Sequence, residues 1–169
     1  HTETMDDLSA LSWVHEELRR SLENAHKLLR RYVKEAEAVS DSDVDAVDPS
    51  ILRNARAQLH QGVGALELIS LPAAANVLRA SELAIQRCIA RSRKLDTAAV
   101  DAIERASFAL LDYLSRMLVG KPVAPLALFP QYRAVQMLAG TDRVHPADLW
   151  NREWEWRQLP SDKAVTPRM

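Results

Sequence analysis

The stretch Leu59–Pro72, LHQGVGALELISLP, decides the fold. Leu59, Val63 and Leu66 recur at three- and four-residue steps, the spacing that gathers apolar side chains on one face of an α-helix. Ser70-Leu71-Pro72 ends that helix, because proline breaks a helix interior but suits the first position of a new one. So short a link forces the following helix to run back antiparallel against the first. The same stripe extends upstream through Leu52 and Ala55, giving a helix from about Pro49 to Ile69, and the returning helix runs to about Arg91.

Two more helices flank this hairpin. Leu8, Leu11, Val14, Leu18, Leu22, Ala25, Leu28, Leu29, Tyr32 and Val33 form one stripe, predicting a long helix over about Asp7–Val39. Arg19, Arg20, Glu23, Lys27, Arg30 and Arg31 fall largely outside it. The acidic SDSDVDAVDP (40–49) follows as a loop, with Asp48 as N-cap and Pro49 at the first helical position. Asp96 or Thr97 caps a further helix whose stripe is Val100, Ile103, Leu110, Leu111, Leu114, Met117 and Leu118, with Gly120 just past its end. Four helices with short connections predict an all-α, up-down antiparallel four-helix bundle over residues 7–120.

KPVAPLALFP (121–130) then leaves the bundle as an extended, proline-broken segment. Pro130–Ala139 reads as a fifth, shorter helix stopped by Gly140, and HPADLW (145–150) as a capped helical turn. Residues 121–159 are expected to pack on the bundle as an extension of short helices. Trp150, Trp154 and Trp156 within it carry too much apolar surface to leave in water. They are expected to fold back as a lid, the alternative being a partner or self-association surface. Residues 1–6 are expected to be disordered or a tag remnant, and 160–169 a disordered tail.

Composition narrows the function. Of 169 residues, 47% are hydrophobic and 27% charged, an ordinary globular balance, while only 4 glycines and 5% aromatics favour helix over sheet. A net charge of −1 supplies no field to attract nucleic acid or anionic lipid. Cys88 is the sole cysteine, which excludes an internal disulfide and fits a reducing, cytoplasmic setting. No apolar run approaches the roughly 20 residues of a membrane helix. No cofactor is implied.

The histidines separate by context. His15 opens HEELR, but Arg19 stands where the metalloprotease pattern HExxH needs its second histidine. His15 and His26 lie about 16 Å apart along one helix and cannot share a metal, so no metal site is expected and both read as solvated. His145 precedes Pro146 and reads as a helix-entry residue. His60 is different. It lies about 100° round the helix from Leu59, on the flank between core and water, with its ring accessible and its backbone held.

On these residues the chain resembles the histidine phosphotransfer domains, four-helix bundles whose second helix carries His-x-x-Lys-Gly before a tight turn. His60-Gln61-Gly62-Val63-Gly64 has that spacing, Leu71-Pro72 falls on the turn, and Glu82 falls on an acidic position one helix later. Val63 stands where the lysine would be, although that lysine offsets phosphoryl charge. Arg56, one turn above His60, is the nearest replacement. WVHEELRRSLENAHKLLRRYV, ARAQLHQGVGALELISLPAAANVLRASELAIQR, FALLDYLSRMLVGKPVAPLALFPQYRAVQMLAG and RVHPADLW further resemble the amino-terminal segment of the hybrid chemotaxis-type histidine kinases that control type IV pili and twitching motility. A stand-alone twitching regulator related to that segment works by binding partners.

The resemblance implies a docking module, a degenerate phosphotransfer domain without catalytic activity of its own. Its partners would be receiver domains of response regulators, polar scaffold proteins of the pilus system and the rest of the kinase chain, with a second copy as an alternative. The setting would be the cytoplasm, at the cell pole. The partner surface implied comprises Arg56, His60, Gln61, Val63, Gly64 and Glu67. The alternative is an active phosphotransfer domain with His60 as phospho-acceptor, in which Val63→Lys would raise labelling.

Overall fold

The structure, a computed structural model, describes residues 2–39, 46–90 and 94–140, with side chains from Asp7 onward. Among the described residues the chain is all-helical, with α1 (Thr2–Glu37), α2 (Ser50–Leu68), α3 (Pro72–Ile89), α4 (Thr97–Leu118) and α5 (Phe129–Leu138). A 3-10 turn, Pro125–Leu128, leads into α5.

The helix ends follow local chemistry. The Asp48 carboxylate accepts the Ser50 N–H at 2.9 Å and opens α2, and the Asp96 carboxylate accepts the Ala99 N–H at 2.8 Å and opens α4. Each satisfies a backbone donor that the helix itself cannot. At the end of α2, Ser70 turns to φ 60° and the Leu71 N–H reaches back 3.1 Å to the Leu66 carbonyl. Leu71 is thereby folded under the hairpin and fully buried. The end of α4 repeats the device, with Gly120 at φ 74° and the Lys121 N–H 2.9 Å from the Arg116 carbonyl. Glycine adopts that conformation freely, whereas at Ser70 a side chain is held there.

One apolar core joins the helices. α1 packs on α2 and α4, α2 packs on α3, and α5 packs on both α3 and α4. Leu18, Leu22, Leu29, Leu59, Leu66, Leu78, Ile85, Ile103, Leu110 and Leu114 lose essentially all contact with water. Because α3 is covered by α2, α4 and α5, it is built from small residues: Ala73, Ala74, Ala75, Ala80, Ser81 and Ala84 are all buried. Tyr132 and Val135 carry α5 into the core.

Cross-contacts between α1 and α4 show the antiparallel register. His15 Nε2 lies 2.9 Å from Ser115 Oγ, His26 Nε2 lies 3.0 Å from Ser107 Oγ, Arg30 pairs with Glu104, and the Thr97 hydroxyl donates to Glu37 at 3.2 Å.

Three expectations are corrected. α1 starts at Thr2 rather than Asp7. His15 already sits beside Ser115, near the end of α4, so the first turns of α1 run past that helix and Leu8 is exposed instead of buried. His26 is not solvated: it is 8% exposed, because α4 covers that side of α1 and Ser107 meets its ring. His145, the turn at 145–150, the tryptophans and the tail lie outside the described residues.

Candidate functional site

Leu71 is the midpoint of the α2–α3 hairpin, so residues equally spaced on either side of it come face to face. His60 and Glu82 meet in this way, with Nδ1 2.9 Å from Oε1, and so do Arg56 and Gln86, with Nη1 2.8 Å from Oε1. Nearer the turn, Arg79 pairs with Glu67 and also donates to Asn76 at 3.0 Å. The rim between the two helices is therefore a short ladder of polar pairs beside the buried stripe of Leu59, Val63 and Leu66.

His60 stands out within the ladder. Its side chain is 76% exposed although its partner Glu82 is only 14% exposed. A carboxylate can only accept, so the proton sits on Nδ1 and donates to Glu82. In the neutral ring the lone pair is then on Nε2. An imidazole fixed through one nitrogen by a largely buried acid presents its other nitrogen to incoming groups in a defined orientation.

Small residues surround it. Ala57, one turn before His60, is exposed, and Gly64, one turn after, is exposed with nothing within 4 Å of where a Cβ would project. Gln61 is exposed beside them. Beyond Ala57 a groove of about 440 Å³ opens between α1 and α2, lined by Asn24, Lys27, Leu28, Asn54, Ala57 and Gln58. An approaching surface thus meets an open helix face with one projecting ring.

The two glycines divide their roles. At Gly62 a Cβ would lie 2.7 Å from Leu18 Cδ1 and 2.8 Å from Leu78 Cδ1, so the residue lets α1 and α3 close on α2. Gly64 has no such neighbour among the described residues.

Of the residues expected on a partner surface, Arg56, His60, Gln61, Gly64 and Glu67 are exposed. Val63 is the correction: at 2% exposure it belongs to the core and offers nothing to a partner. It lies between Leu59 and Leu66 on the buried stripe, which decides its fate. Gln86 was not anticipated, though counting outward from Leu71 places it opposite Arg56.

Elsewhere, burial lowers the pKa of His26, Glu104 opposing that shift and Arg30 adding to it. Among the described residues no group of three or more His, Cys, Asp or Glu could hold a metal ion, and no helix is long and apolar enough to cross a membrane. Compared with protein-family profiles, with curated proteins and with solved structures, the chain matches none of them.

Proposed function

We propose that the chain is a docking module of histidine-phosphotransfer type, with α1–α4 forming an up-down antiparallel four-helix bundle that α5 extends. Its partner is a receiver domain of a response regulator, and the docking face is the outer side of α2 with the rim of α3. One observation carries this: His60 projects from a helix face cleared by Ala57 and Gly64, and a mid-helix glycine that none of the described residues requires costs about 1 kcal/mol relative to alanine. Such a cost is offset where another backbone must come close. The sequence resemblance extends the proposal to a chemotaxis-type kinase system for type IV pili and twitching motility, with polar scaffold proteins as further partners.

The test is calorimetric titration of the chain with receiver domains of that system. Gly64→Arg and Ala57→Arg fill the cleared face without touching the core, and both should abolish the heat of binding while leaving the helical signal unchanged. Binding that survives both substitutions rules this face out.

A specific observation favours a second reading, in which His60 itself accepts a phosphoryl group. Nδ1 is held by Glu82, which leaves Nε2 as the nucleophilic nitrogen pointing away from the carboxylate. Incubation with a phosphorylated receiver should then place acid-labile label on the wild-type chain and none on His60→Gln. Absence of label with binding intact leaves docking alone.

A further inference from the structure

Resting on the second reading, we infer that Arg56 is the residue that binds the phosphoryl group at His60, the cation that the buried Val63 cannot supply. A phosphoryl group on Nε2 brings strong negative charge to the exposed side of the ring, away from the Glu82 carboxylate that accepts from Nδ1 at 2.9 Å. A charge of that size is stabilised by a cation in reach that donates to the phosphoryl oxygens.

The basic side chains of α2 and α3 are few enough to compare one by one. Arg79 is committed to Glu67 and Asn76. Arg87 donates to the Leu138 carbonyl at 3.1 Å and closes the end of α5. Arg53 stands two turns from His60, about 10 Å along the axis. Arg56 stands one turn away, about 6 Å along the axis, on the same rim and exposed.

The partner of Arg56 sharpens the choice. Its Nη1 rests on the neutral amide of Gln86 at 2.8 Å, and no carboxylate accepts from it among the described residues. Its charge is therefore placed beside the histidine without being neutralised there. Guanidinium suits phosphoryl oxygens because two of its N–H groups can donate in parallel. Gln86 holds the group in waiting and can keep one N–H while the others turn to the phosphoryl oxygens.

Phosphoramidate, a small phosphoryl donor, tests this without a protein partner. The Nε2 lone pair attacks phosphorus, the phosphorus–nitrogen bond breaks, and the donor nitrogen leaves as ammonia. The ring then bears the phosphoryl group on Nε2 and keeps its proton on Nδ1, facing Glu82. The readout is the rate of phosphohistidine formation in the full chain, followed by phosphorus NMR, for wild type, Arg56→Gln and Arg56→Lys.

Wild type should be labelled at His60, Arg56→Gln should react on the order of five- to tenfold more slowly, and Arg56→Lys should recover most of the rate. Added salt should slow wild type and leave Arg56→Gln almost unchanged, because only the former uses charge. Label at His60 with equal rates in wild type and Arg56→Gln overturns the assignment of Arg56 and leaves the acceptor reading standing. Equal slowing in Arg56→Gln and Arg56→Lys also overturns it, since charge would then not be the cause. No label on wild-type His60 overturns both.

Discussion

Alanine at the two glycines of α2 isolates what the helix face is for. Gly62 and Gly64 share one helix, so the propensity gained by either substitution is nearly the same, about 1 kcal/mol. The gain is realised in full only where the new methyl group has room. At Gly64 nothing lies within 4 Å of the Cβ position, so Gly64→Ala should raise stability by about 0.5–1 kcal/mol. At Gly62 the Cβ would sit 2.7 and 2.8 Å from methyl groups of Leu18 and Leu78, both fully buried, so each side chain must shift within the packed core. Overpacking of that kind costs about 1–3 kcal/mol. Gly62→Ala should therefore range from neutral to about 2 kcal/mol destabilising, and propensity cancels in the difference between the variants. Urea denaturation of both should separate them by about 1–3 kcal/mol, or by several degrees in Tm for a chain of this size. Equal stabilisation by the two substitutions would refute the packing assigned to α2. The same pair tests the proposed docking face: if a receiver domain approaches α2 at Gly64, the more stable Gly64→Ala should bind it more weakly.

Val63→Lys, which the resemblance suggested as a way to raise labelling, should instead destabilise by more than about 2 kcal/mol, since it places an ammonium on the buried stripe; a denaturation midpoint matching wild type would contradict this. Ser70→Gly relieves a side chain held at φ 60° and should add about 0.5–1 kcal/mol in the same assay, whereas a loss would show that the turn needs its side chain. His26 gives a pH dependence. Burial lowers its folded-state pKa below the ordinary 6.5, so below that pH the unfolded chain takes up a proton that the folded chain refuses. Stability should fall as pH drops below about 6.5, more steeply for wild type than for His26→Gln; identical slopes would exclude His26 as the cause.

The helices were legible because their signals are local. Stripes at helical spacing, Asp96 before α4, and Gly120 and Gly140 after α4 and α5 need no knowledge of neighbours, and the observed ends fall within a few residues of those expected. His60 on the flank of α2 was legible for the same reason. What the sequence hid depends on which helix lies alongside. His26 was read as solvated because its own helix places it beside the stripe, yet α4 covers it. Val63 satisfied two patterns at once, the buried stripe and the motif position of a lysine, and packing resolved the conflict in favour of the stripe. Gln86 carries no motif at all. Its pairing with Arg56 follows from the register of the hairpin, which becomes fixed only when the turn residue at the midpoint is known.

Amide chemical shifts of the isotopically labelled chain, recorded as an unlabelled receiver domain is added, locate the docking face most directly. The shifts should gather on the outer side of α2 at Arg56, Ala57, His60, Gln61 and Gly64, continue to Glu82 and Gln86 on α3, and vanish in Gly64→Arg. Shifts confined to α5 or to the exposed Trp13 side of α1, with α2 unmoved, would contradict a docking face centred on His60.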